Sequence, residues 1–238
     1  MGTPAEHLHD PHLQHHFSDR RQQLEAFKLG MWIFLGTEVL LFSGLFCAYA
    51  VYRASHPEVF IYAHRFLDKT MGGVNTLVLI FSSFTMAWAV RAAQIGAQRA
   101  LRRLLGITLA CGFVFLGIKG VEYQHKWKEG LLWGTRYVPQ EHAAPAQTDH
   151  EAAAELGAPA APVVPRNVHL FFGIYFVMTG LHGLHVIAGM AVLAWLLLRA
   201  RRGDFGASYF TPVDLGGLYW HLVDLIWIYL FPLLYLIH

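Results

Sequence analysis

Charge is what this sequence has least of: Asp, Glu, Lys and Arg make up 14% of its 238 residues, against roughly 25% in soluble domains, while 55% are hydrophobic. That balance is the composition of a membrane protein. Neither sign is in excess, with 18 basic against 16 acidic residues for a formal +2, so nucleic acid and polyanionic substrates leave the list of partners. The only two cysteines, Cys47 and Cys111, sit inside apolar stretches, so there is neither a disulfide framework nor a CxxC metal site. No P-loop, GxSxG elbow or HExxH helix occurs, which leaves soluble-type catalysis without support.

What the sequence does have is long uncharged runs. A bilayer core of about 30 Å takes about 20 helical residues to cross, and five runs are long enough. They lie at about 28–53, 70–91, 103–124, 167–199 and 214–237. The expected fold is therefore all-α: a polytopic five-transmembrane-helix bundle, one membrane domain over 28–238 behind a polar, His-rich tail at 1–27. The tail has no apolar h-region or small-residue cleavage site, so it does not read as a signal peptide. Its histidines, His7, His9, His12, His15 and His16, are read as a solvated tail and not as a metal site. Between the third and fourth spans, about 128–166, the Ala/Pro-rich string AAPAQTDHEAAAELGAPAAPVVP has little to bury and is expected to be an exposed, mobile insertion.

Lys and Arg set the orientation. Three lie in the tail, four from Arg91 to Arg103 and three from Arg199 to Arg202, against seven on the other side, four of them in the long diluted loop. That bias places the N-terminus inside and, with an odd number of spans, the C-terminus outside.

Ionisable groups at membrane depth cost about 2.5–3.5 kcal/mol each on insertion scales and are the first candidates for function. Here they are Glu38, Lys119, Glu122 and Asp224. Glu38 and Asp224 each lie about 15 Å into their helices, near the midplane, although the spacing leaves open whether they meet. Lys119 and Glu122 are three apart on one helical face and read as an ion pair near the outer end of the third span. His221 and Asp224 repeat that spacing, as a proton-handling pair or an interhelical hydrogen bond. His182 and His185, in GLHGLHVIAG, stand among small residues that let another helix approach. Haem and copper find no ligand set: no second helix matches His169 and His182, and the two cysteines are on different helices.

Five strings, in order, resemble subunit III of the haem–copper oxidases. They are MWIFLGTEVLLFSGLF at 31–46, VNTLVLIFSS at 74–83, IKGVEYQHKW at 118–127, TGLHGLHVIAG at 179–189 and YWHLVDLIWIYLF at 219–231. The resemblance covers all five spans. It implies a non-catalytic subunit with no redox centre of its own, the haems and copper belonging to partner subunits I and II. It implies further that the chain packs beside subunit I, binds phospholipid, and supports proton uptake and active-site integrity in a cytochrome c oxidase of a bacterial plasma membrane, N-terminus cytoplasmic and C-terminus periplasmic. Glu38 falls on the family's buried carboxylate and Glu122 on the acid of its EY string. His182, His185, His221 and Asp224 fall on the motifs of the last two helices. Many members have seven helices, and this chain resembles the last five, so the lipid cleft that the first pair helps to form must be completed by another subunit or be absent. A quinol oxidase subunit and a nitric oxide reductase accessory protein are the nearest alternatives. A small channel or transporter is the alternative of a different class, supported by the midplane acids, but no span is broken at its centre and no inverted repeat is visible.

Overall fold

The computed structural model describes residues 14, 17–128 and 168–237. Most of the His-rich tail, and the Ala/Pro-rich segment apart from its first residue, lie outside the described residues. Helix α1 (Arg20–Ser55) is followed by a short α2 (Pro57–Ala63) and one turn of 3₁₀ helix (His64–Phe66). Then come α3 (Lys69–Gln94), α4 (Gln98–Lys128), α5 (Val168–Arg202) and α6 (Thr211–Tyr235). All but α2 are long and apolar enough to cross a membrane. The chain is a multi-pass membrane protein.

Helix ends follow local chemistry. Asp19 caps α1 by accepting from the Gln22 backbone N–H at 2.7 Å, so α1 starts within the segment expected to be tail. Asp68 caps α3 by accepting from Thr70 and Met71. Gly96 takes a positive φ of 72° just past α3, a conformation that a side chain would strain, and the chain turns at once into α4. A turn this short makes α3 and α4 antiparallel neighbours.

The packed body is α3, α4, α5 and α6, and its closest approaches are at glycines. A Cβ on Gly72 would stand 2.8 Å from the Phe231 ring, one on Gly189 2.9 Å from the Trp220 ring, and one on Gly112 3.0 Å from the Met190 side chain. Gly180 and Gly183, expected to be points of close approach, have nothing within 4 Å among the described residues, and of the motif's glycines it is Gly189 that meets another helix. α1 lies along the edge of this body, and the Tyr49 hydroxyl donates to the Leu233 carbonyl of α6. The sequence did not signal α2. It is held by Phe60, fully buried between Tyr49 (5.2 Å between ring centroids) and Phe171 (5.1 Å), both edge-on.

Candidate functional site

Among the described residues, three groups of ionisable side chains stand out in the interior, each built by a different set of helices. The densest is on α4. Glu122, 3% exposed, accepts from Lys119 at one carboxylate oxygen, 2.8 Å away, and at the other from Lys126 (2.8 Å), Tyr175 (2.8 Å) and Tyr235 (2.6 Å). Lys119 also donates to the Tyr175 and Tyr235 hydroxyls, at 3.1 and 2.9 Å. Two ammonium groups thus share one carboxylate. The surplus positive charge lies among aromatic faces, with Lys119 Nζ 5.0 Å from the Trp227 ring centre and 5.3 Å from that of Tyr175, and Lys126 Nζ 4.9 Å from Tyr175. The i, i+3 and i, i+4 spacings put all three charges on one face of α4, while Tyr175 on α5 and Tyr235 on α6 close the network across the bundle. Lys126, Tyr175 and Tyr235 were missed from sequence. Lys126 has the right spacing from Glu122 but reads as a loop charge beyond the span.

The second centre joins α1 to α5. Glu38 Oε2 lies 2.7 Å from His185 Nε2, and His185 Nδ1 lies 2.7 Å from the Leu181 carbonyl oxygen. A carbonyl only accepts, so Nδ1 carries a hydrogen, and one further proton must lie between Nε2 and the carboxylate. The pair is thus either imidazolium and carboxylate or neutral imidazole and acid, and it is net neutral both ways. Its side chains are 15% exposed, and Tyr219 donates to the His185 carbonyl at 3.2 Å. Nothing in the sequence joined Glu38 to His185, because the contact crosses 147 residues.

The third centre lies between α3 and α6. His221 Nδ1 is 2.7 Å from the Ser83 hydroxyl, so His221 finds its partner on α3 and not in Asp224. Asp224 is 1% exposed and turned inwards, with Ser83 and Cys111 as polar neighbours. Glu38 and Asp224, at similar depth, therefore face different helices. His182 is fully buried between the rings of Phe115 (5.6 Å) and Trp227 (5.3 Å).

Beside α1, a cleft of about 820 Å³ opens against α5 and α6, with Arg20 and Arg21 at one end and Phe27, Met31, Trp195 and Tyr219 along its walls. Among the described residues no group of three or more His, Cys, Asp or Glu is arranged to hold a metal ion. The centres can hold and share protons, and the cleft suits an amphiphile with an anionic head.

Against this geometry stand the similarities to known proteins. A profile of the family described as cytochrome c oxidase subunit III matches residues 167–238. Cytochrome c oxidase subunit 3 of Thermostichus vulcanus is 33% identical over 210 residues, covering 88% of this chain and 86% of its own length. The protein of the same name from Synechocystis sp. is 32% identical, covering 87% of this chain and 74% of its own length. Quinol oxidase subunit 3 of Bacillus spizizenii is 27% identical, with 87% and 85% covered.

Proposed function

The chain belongs to the cytochrome c oxidase subunit III family, and from that premise we propose that it supports the catalytic subunit of an oxygen-reducing haem–copper oxidase that takes electrons from cytochrome c. The observation that carries the reading is the reach of the similarity, 88% of the chain and not one helix of it. In this reading the chain is a single five-helix membrane domain in a bacterial plasma membrane, N-terminus inside, bound to subunits I and II. The haems and copper are theirs. Glu38 and His185 hold a proton at the edge of the bundle, where they help sustain proton uptake by subunit I. The cleft beside α1 takes a phospholipid, its phosphate at Arg20 and Arg21 and its acyl chains along the aromatic wall, and another subunit completes it.

Purification through a cleavable tag on this chain, in mild detergent, tests the proposal. The expected result is a haem-containing complex with two larger partners that consumes oxygen when given reduced cytochrome c. Oxidation of quinol alone, or consumption of nitric oxide in place of oxygen, would overturn the assignment of substrate. A colourless, partner-free chain after isolation in native lipid discs would overturn the assignment to a complex.

A further inference from the structure

Three polar side chains deep in the bundle are left unsatisfied by the described residues. Asn75 on α3, His182 on α5 and Asp224 on α6 are 0%, 0% and 1% exposed; none of their six amide, imidazole and carboxylate atoms has a hydrogen bond of good geometry among the described residues, and Ser83, the one hydroxyl near Asp224, is already 2.7 Å from His221. Polar atoms taken out of water need a replacement for it, and buried ones are almost always satisfied.

All three lie on helices that meet at Trp227. Its indole N–H donates to Thr76, next to Asn75, at 3.1 Å, its ring lies 5.3 Å from that of His182, and Asp224 precedes it by one turn of α6. Lys119 Nζ stands over the same ring at 5.0 Å, so the charged network on α4 begins where these three residues end. Cys111, Phe115, Lys119, Glu122 and Lys126 form one face of α4, and this face runs from the level of Asp224 to the network's far end, a rise of about 22 Å.

We propose that Asn75, His182 and Asp224 form an internal water-binding site that continues the Lys119–Glu122 network inwards to Asp224. The donor and acceptor set selects the ligand. A cation has no use for the Asn75 amide hydrogens or the imidazole N–H, and an anion would meet the Asp224 carboxyl oxygens. Water both donates and accepts. At about three hydrogen bonds per buried water, on the order of two molecules satisfy six atoms. The resulting column joins Lys126 to the Ser83–His221 pair through the centre of α3–α6 and is separate from the Glu38–His185 pair beside α1. It rests on side-chain geometry and not on the oxidase reading.

Radiolytic hydroxyl-radical footprinting tests the site, using the full chain in its native complex in lipid nanodiscs, with H₂¹⁸O added shortly before exposure. Trp227 and Phe115, 0% and 1% exposed, should be oxidised and should retain ¹⁶O from slowly exchanging internal water. Phe171 and Phe60, as deeply buried and packed edge-on like Phe115 and Trp227 but away from Asn75, His182 and Asp224, should remain unmodified. Modification of Trp227 and Phe115 no greater than that of Phe60 and Phe171 would overturn the proposal. In Asn75→Leu, with helicity and partner content checked, labelling of Trp227 should be lost, and unchanged labelling would overturn it too.

Discussion

Helices α1 and α6 both cross the membrane, yet they are held in place by opposite means. α1 buries four of its 36 residues, Gln23, Leu35, Phe42 and Tyr49, whereas α6 buries twelve of 25. In its most apolar stretch α1 is 11% buried within the chain and α6 44%. Leu35, Phe42 and Tyr49 recur every seven residues, the repeat of a narrow coiled-coil-like seam that also carries Glu38, and exposed residues such as Trp32 and Leu40 face away from the bundle. α6 is instead packed on three sides by α3, α4 and α5. Apolar composition decides that a helix crosses the bilayer, and small residues and satisfied polar groups decide what it holds on to. Lipid hydrocarbon is as apolar as leucine, so close packing and hydrogen bonds supply the attraction.

Substitutions on the two helices and their neighbours should differ in the same order. The largest effect is expected at Glu122→Gln, which leaves two buried ammonium groups without their shared counter-charge. Removing one partner of a buried ion pair costs about 3–5 kcal/mol, read as a large drop in the thermal midpoint of the detergent-solubilised chain. Next is Gly189→Leu, whose side chain must enter the space of the Trp220 ring, a site where the first added carbon already stands 2.9 Å away. Overpacking of this kind costs about 1–3 kcal/mol and should be visible as loss of Trp fluorescence structure and a lower midpoint. Glu38→Gln removes the proton-sharing contact at the α1 seam, worth on the order of 1.5 kcal/mol. Haem content of the purified complex should stay intact while activity declines sooner in prolonged turnover. The smallest is Gly36→Ala on α1, where nothing among the described residues lies within 4 Å and alanine is the better helix former, so its midpoint should be unchanged or slightly raised. A destabilisation by Gly36→Ala equal to that of Gly189→Leu would show that the two helices are held alike.

The spans were legible because charges bracket them: Lys28 and Arg53, Lys69 and Arg91, and Arg166 and Arg199 mark the water at either end of three helices. The Lys119–Glu122 pair was legible because a helix alone brings residues three apart together. α2 was not, since seven residues after Pro57 are too few to show a period. Nor were the contacts that join helices. His221 was read with Asp224 as a proton-handling pair or an interhelical hydrogen bond, but the spacing could not name the partner across the interface, Ser83, a small neutral residue in an uncharged run. Asn75 is silent in sequence for the same reason, and the tyrosines that complete the Glu122 network look like ordinary apolar bulk until three helices converge on them. Helix period fixes which residues share a face, and only packing fixes which faces meet.

Hydrogen exchange compared between the isolated chain and the haem-containing complex tests most directly the claim that α3–α6 stand by themselves while α1 is completed by a partner. Amides of residues 28–55 should gain protection on assembly while those of 219–235 are equally protected in both. Protection of α1 that is already full in the isolated chain, or a gain confined to α6, would contradict it.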